Sequence, residues 1–560
     1  MKIIFNNYNR TKIIDFKKSG ENILFLWPDN WDDYDYKLTL NATLITENSE
    51  VSLPRIKILI SKQRNTSEYL INRLAKGWSG EFPLNDVKYI SLPISVDFYE
   101  LIIGHLGKKS TEKCMNALHD AGYMKERDDS DEITELYQST EFKISLLRDR
   151  NAKIALVQGN KIFSKSISKI DDFSFYFYLT SDESKIDFCF SDQILPNDIN
   201  VLIGPNGSGK SCILKKMVNT WLSPKLNKER QLNCYYSESI NIRKLIVVSY
   251  SPFESFPIDV NNDNSISDKS IYSYYGLRSK SNHRITLSRN KPKNDTSLSV
   301  LQCIKDDLKF KVIDDWSNKI STMESVLSQA IEFDCMALEI TSKVSSKQLY
   351  NGLFDDVIFT YNGKRYINIS NDYNSEIDID VLSKVIVSDA GVVFFKKGSR
   401  VLLSSGQRLF SYIVINILGA IKKNSLIIID EPELFLHPTL EIAFISMLKK
   451  LLSNYYSKAI LATHSLVAVR EVPRKCVHVL KKEKDYLFIT PPPFETFGGD
   501  IQRISSYVFG DKSVSKPFEE WLKEKLISYG TAKELINALG SDINEEMIVK
   551  IYALEKTCGS

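Results

Sequence analysis

The chain has 560 residues, 43% hydrophobic and 26% charged, with a formal net charge of +3 at pH 7. That length predicts about two or three domains of an ordinary globular protein, and so small a net charge excludes one that coats nucleic acid over its whole surface. No apolar run approaches the roughly 18 residues of a membrane span and no signal peptide is visible, so a cytoplasmic protein without a membrane partner is expected; eight cysteines without a C-x-x-C pair indicate neither a disulfide framework nor a structural zinc site.

Residues 1–150 precede every chemical motif and read as an α+β appendage. Tyr36, Leu38, Leu40, Ala42 and Leu44 alternate with unlike neighbours, as do Ile56, Ile58 and Ile60, which predicts half-buried strands. A helical pattern runs from Asp97 to about His119, an exposed turn is expected over Arg127–Glu132, and strands are expected near Phe142–Leu147 and Ile154–Val157. The string from Trp27 to Tyr34 reads as a surface turn packed by its own aromatics or as a partner-docking edge.

The first part of a nucleotide core is expected over residues 151–258. Within it the apolar run Val201-Leu202-Ile203 leads into Gly204-Pro205-Asn206-Gly207-Ser208-Gly209-Lys210-Ser211, and a helical stretch from Cys212 follows. Strand, glycine loop and helix in that order are the context a G-x-x-x-x-G-K-[ST] match requires; the alternative is a glycine turn capping an ordinary helix. As a phosphate loop, the backbone N–H groups of Asn206, Gly207, Ser208, Gly209, Lys210, Ser211 and Cys212 face a polyphosphate. Lys210 then neutralises the β and γ oxygens, and the Ser211 hydroxyl binds Mg²⁺.

Lys210 and Asp430 are 430 − 210 = 220 residues apart, so an insertion is expected, placed at 259–385. Its first part is polar, and Arg278, Lys280, Arg284, Arg289, Lys291 and Lys293 follow with no acidic residue among them, which reads as a solvated loop or as an arm for nucleic acid or a partner. Its second part carries a helical stripe from Ile304 to Ile331. The core resumes over 386–490. There Leu403-Ser404-Ser405-Gly406-Gln407-Arg408 opens a helix, Leu426-Ile427-Ile428-Ile429-Asp430-Glu431 is a strand ending in two carboxylates, and Ala459-Ile460-Leu461-Ala462-Thr463 is a strand ending in His464. Asp430 suits a Mg²⁺ ligand, Glu431 a group facing the γ-phosphate, and His464 a switch residue. Residues 491–560 read as a helical tail.

These four elements in this order resemble the ATPase domain of the ABC superfamily, an α/β fold with a mixed sheet, phosphate loop and flanking helices, here with the appendage and the insertion. Ser404-Ser405-Gly406-Gln407 is similar to the signature loop, Asp430-Glu431-Pro432 to the second nucleotide motif and Ala462-Thr463-His464-Ser465 to the histidine switch; Glu431-Pro432-Glu433-Leu434-Phe435-Leu436-His437-Pro438, with Leu-His-Pro where a transporter carries its dimer loop, resembles soluble ATPases related to RecF, Rad50 and the OLD nucleases. More narrowly, Ser249-Tyr250-Ser251-Pro252-Phe253, Tyr274-Tyr275-Gly276-Leu277-Arg278 and Thr496 to Ser505 resemble the ATPase of Septu-type antiphage systems and its retron-associated relatives.

The resemblance implies ATP and Mg²⁺ as cofactors and Glu431 and His464 as catalytic residues. Ser404, Gly406 and Gln407 would cap the nucleotide of a second copy. It also implies a separate HNH-type nuclease subunit as partner, with a retron reverse transcriptase, its RNA–DNA and other nucleic acid in the complex. Two departures stand out: Ser405 replaces the usual signature glycine, and no glutamine ends the strand at Val248-Ser249. The tail shows no D-x-D, and the six histidines have no metal-ligand spacing, so no nuclease is expected in this chain. A RecF-like ATPase of DNA repair or structural maintenance is the alternative, and a transporter subunit fits the Leu-His-Pro string and the appendages poorly.

Overall fold

Four apolar runs, expected as buried strands or strand ends, lie side by side in one sheet. Strands β1 (Ile199–Ile203), β2 (Lys244–Ser249), β3 (Tyr272–Gly276), β4 (Ser425–Asp430), β5 (Lys458–Thr463), β6 (Val477–Glu483) and β7 (Tyr486–Thr490) form seven strands in the order β3-β2-β4-β5-β1-β6-β7. All neighbours are parallel except β6 and β7. Every residue of β1, β2, β4 and β5 is buried, as a parallel sheet covered on both faces demands.

The computed structural model describes the chain except residues 9, 30–35, 48, 125–130, 164–168, 180–181, 192–193, 223–233, 239, 259–270, 282–283, 342–356, 371–377, 484–485, 510–516 and 559–560. Most of the Trp27–Tyr34 string, of the expected turn at Arg127–Glu132 and of the polar start of the insertion therefore lies outside the described residues. Among the described residues no helix is long and apolar enough to cross a membrane.

Alternation along the strands divides the core. Leu202, Leu245, Val247, Ile428 and Ile460 meet Ile213, Leu214, Met217 and Val218 of helix α1 (Lys210–Leu222). On the opposite face Val201, Ile203, Ile246, Val248, Ile427 and Ile429 meet α2 (Lys291–Phe310), α3 (Lys319–Leu327), α4 (Ser405–Ala420) and α5 (Pro438–Asn454). Each such side chain, fully buried, contributes about 1.5–3 kcal/mol of transfer free energy. An antiparallel sheet of Phe173–Tyr178, Glu183–Phe188 and Tyr235–Tyr236 extends the α1 side.

The appendage has a five-stranded sheet, Lys2–Phe5, Ile23–Pro28, Thr39–Ile45, Glu50–Ile60 and Tyr89–Pro93 in that order, with helices Asp97–Leu106 and Lys108–Ala117. The two strands expected after it are helical instead: Phe142–Leu146 is a turn of π type, and Arg150–Phe163 is an α-helix. The run at Ile154–Val157 looks like a strand locally, yet Ala152, Ala155, Leu156, Gly159 and Phe163 are among the residues buried, a stripe with helical spacing.

The insertion differs from expectation in three ways. Its helical stripe breaks after Phe310 because Asp307 turns back and accepts hydrogen bonds from Lys319 N (2.8 Å) and Ile320 N (3.0 Å), which starts α3. It also contains a five-stranded antiparallel sheet, Ile358–Tyr361, Lys364–Ile369, Cys335–Ile340, Val392–Lys396 and Ser399–Arg400, which runs past residue 385. Finally β3, within 259–385, is the edge of the main sheet.

Buried charges join the appendage to the core. Arg243, just before β2, donates to Glu100 Oε1 (3.1 Å) and to Asp97. Asp306 of α2 accepts from Lys319 (2.8 Å) and from Lys422 (3.1 Å), which follows α4. Although burial opposes its charge, Lys319 and Lys422 hold the Asp306 carboxyl well below the usual carboxylate range.

Candidate nucleotide site

The loop between β1 and α1 has its shape because two of its glycines admit no side chain. A Cβ at Gly204 would stand 2.4 Å from the Leu480 carbonyl oxygen, and Gly209 has φ +99° with Leu179 Cδ1 2.8 Å from where its Cβ would be. Lys210, buried at the head of α1, donates from Nζ to the carbonyls of Gly204 (3.0 Å) and Pro205 (3.2 Å). Asn206 and Gly207 are exposed, Cys212 is an exposed thiol, and Ser208 Oγ is buried with no hydrogen-bond partner among the described residues.

Strand register brings the distant motifs here. Ser249 pairs with Asp430, Asp430 with Ala462, and Ala462 with Leu202, so the carboxyl ends of β2, β4, β5 and β1 stand in one row. Asp430 Oδ1 thereby accepts from Ser211 Oγ at 2.9 Å. Glu431 turns out of β4 in a left-handed conformation, φ 52° and ψ 54°, with its N–H bonded to the Ala462 carbonyl at 2.8 Å. For a non-glycine residue that costs on the order of 1–3 kcal/mol, and such strain gathers at functional sites.

His464, one residue past β5, places Nε2 3.0 Å from Lys210 Nζ. An ammonium only donates, so Nε2 accepts and the ring carries its proton on Nδ1. Burial, and after it the charge of Lys210, lowers the His464 pKa. Glu433 fixes the turn that aims the ring: it accepts from His464 N at 2.5 Å and from Thr463 Oγ1 at 2.8 Å. Nothing in the sequence distinguished Glu433 from its neighbours except its place two residues after Glu431.

Burial lowers the Lys210 pKa against the pull of Glu431, Glu433 and Asp430. Burial likewise pushes Asp430 up to about 7, with Ser211 opposing and Glu431 and Glu433 adding to the rise. A buried Ser208 hydroxyl without a hydrogen-bond partner among the described residues, an ammonium held by two loop carbonyls and the His464 ring, and a carboxylate crowded by like charges fit a polyphosphate with a divalent cation. Ser211 and Asp430 are the residues that would hold the cation.

The signature residues lie apart from this group. Ser404 caps α4: its Oγ accepts from Gln407 N (3.2 Å), and Gln407 Oε1 accepts from Ser404 N (3.1 Å). Gln407 Nε2 donates to the Ala330 carbonyl at 2.9 Å. Gly406 is buried, Ser404 and Ser405 are exposed, and among the described residues no hydrogen bond joins them to the glycine loop. Where the glutamine is missing, Tyr250 stands after Ser249; its hydroxyl accepts from Asn416 of α4 (3.1 Å), whose Oδ1 accepts from Ser299 of α2 (2.9 Å). This buried chain ties the end of β2 to the signature helix, and no sequence motif announced it.

Residues 199–470 match a family described as an AAA domain, putative AbiEii toxin, type IV toxin–antitoxin system. Protein ea59 of Escherichia phage lambda is 24% identical over 512 residues, 87% of this chain and 86% of that protein. An SMC head bound to the C-winged helix domain of ScpA superposes with a TM-score of 0.30 at 13% identity, covering 58% of this chain and 98% of that one. The SMC head domain from Thermotoga maritima does so with a TM-score of 0.25 at 12% identity, covering 58% and 100%. The matched residues enclose β1, the glycine loop, α4, Asp430 and His464.

Proposed function

We propose that the chain hydrolyses ATP with Mg²⁺ at a site completed by a second copy of itself, and that the cycle gates a separate HNH-type nuclease in an antiphage system of the Septu or retron type. The observation that carries this is the meeting of Lys210, Ser211, Asp430 and His464 at one row of strand ends. Lys210 binds the β and γ oxygens, Ser211 and Asp430 hold Mg²⁺, and Glu431 orients the attacking water. His464 reports the γ-phosphate, and Ser404 and Gly406 close the site from the second copy.

The three Septu-like strings support the nuclease partner by where they lie. Two of them meet at Glu254, which accepts from Tyr274 OH (2.5 Å) and Arg278 Nη1 (3.2 Å), and on that pinned loop Phe253 is 94% exposed. The third ends at Ser505 inside helix Ile501–Phe509, and Phe509 at the end of that helix stacks 6.3 Å from the His464 ring. A surface next to the nucleotide is where a partner would feel the cycle. The matching family's description, an AAA domain associated with a type IV toxin–antitoxin system, agrees with a regulated effector.

Purifying the complex from its native host and identifying its members by mass spectrometry tests this, with a nuclease subunit expected. Recovery of repair proteins without a nuclease would favour the RecF-like alternative, for which the basic hairpin of Arg278–Ser281 and Arg284–Leu287 speaks.

A further inference from the structure

Arg278–Ser281 and Arg284–Leu287 form an antiparallel ribbon that, among the described residues, pairs with no other strand. An isolated two-stranded hairpin is marginal in water, so this one needs its base held. Arg278 Nη1 donates to Glu254 Oε2 (3.2 Å) and to the Phe256 carbonyl (2.8 Å), and Ser288 N donates to the Leu277 carbonyl (2.8 Å). The base of the ribbon is thus held where it leaves the end of β3.

Structure sorts the basic residues of this stretch. Arg278 is the anchor, Lys291 bonds to Asp295 within α2, and Lys293 packs against Gly391. Arg284 and Arg289 are exposed, and Ile285 and Leu287 are 54% and 59% exposed on the face they share with Lys280. A solvated loop has no need to hold two aliphatic side chains in water on a paired strand beside exposed arginines.

We infer that this ribbon is a contact for duplex DNA, seated in the major groove with Arg284 and Arg289 on the phosphates and Ile285 and Leu287 toward the base edges. A two-stranded ribbon fits the major groove of B-form DNA, about 12 Å wide, and apolar side chains there meet thymine methyl groups. The deep, narrow major groove of A-form RNA does not admit it. Charge complementarity favours nucleic acid over a protein surface, because residues 278–293 contain no acidic residue.

The test is fluorescence anisotropy of a short labelled DNA duplex with the full chain, without nucleotide, over a range of salt; omitting nucleotide separates the outcome from the assignment of the ATP site. Arg284→Ser with Arg289→Ser is expected to lower the log–log salt slope by about 1.8, two contacts at about 0.9 each, and to weaken low-salt binding about tenfold or more. Arg284→Lys with Arg289→Lys keeps the slope. Melting curves matching wild type show that the variants fold. An unchanged slope in the serine variant, no DNA binding by the wild type, or equal binding of duplex RNA would each overturn the inference.

Discussion

Lys210 Nζ stands 3.0 Å from His464 Nε2, although 254 residues separate them in the chain. β1 and β5 are adjacent and parallel, so the residues just beyond their ends face one another. The ammonium that would bind a phosphate is held by the ring that would report its arrival, and binding at one exchanges the partner of the other.

Lys210→Ala removes the one buried cation of the loop. Charge-assisted hydrogen bonds of about 1.5–3 kcal/mol each predict ATP binding weaker by about tenfold to a hundredfold or more. Equilibrium titration with a fluorescent analogue measures it, and wild-type affinity would contradict the assignment of the loop.

Glu431→Gln keeps Asp430 and Ser211 but removes the carboxylate that would act on water. Nucleotide binding should persist while single-turnover hydrolysis slows by about 10²–10⁴, the usual worth of a positioned acid or base. His464→Ala should slow it similarly. Rates within a factor of two of wild type would show that these side chains do not take part.

Arg243 is buried against Asp97 and Glu100, which hold its pKa up although burial opposes the charge. Arg243→Met leaves two carboxylates at the joint between appendage and core, and breaking such a buried group typically costs about 3–5 kcal/mol. The urea midpoint should fall accordingly at unchanged slope; a shift below about 1 kcal/mol would mean that water already reaches this joint.

Asp120 is fully buried under the Tyr99 hydroxyl (2.9 Å), and burial raises its pKa from the ordinary 3.8 to about 7. A carboxyl with a raised folded-state pKa binds more protons folded than unfolded between about pH 4 and 7, so its contribution to stability falls as pH rises through that window. Chemical denaturation at several pH values should show this slope in the wild type and lose it in Asp120→Asn. Identical pH profiles would place the carboxylate in contact with water.

The nucleotide core was legible where one local pattern carries both structure and chemistry. Val201 to Ser211 reads as strand, loop and helix within a dozen residues, and Leu426–Asp430 and Ala459–Thr463 are runs that only a doubly covered sheet would bury. Less legible was whatever depends on distant partners. Ile154–Val157 looks like a strand until Ala152 and Phe163 show which face is buried, and the sheet of 335–400 is assembled from short strands interrupted by polar stretches. Glu433 and the Tyr250–Asn416–Ser299 chain owe their importance to side chains that meet only after folding.

The central claim is a site shared by two copies, since among the described residues no hydrogen bond joins Ser404 or Gly406 to the glycine loop of their own chain. Lys210→Ala chains, whose own glycine loop holds ATP too weakly to turn it over at a nucleotide concentration that saturates the wild type, are mixed with Ser404→Arg chains, which cannot cap it, and steady-state ATPase is measured at that concentration. Random pairing makes half the dimers mixed, each with one of two sites complete, so activity should recover to about a quarter of wild type while each variant alone stays inactive. An inactive mixture in which mixed dimers are shown to form would contradict the shared site.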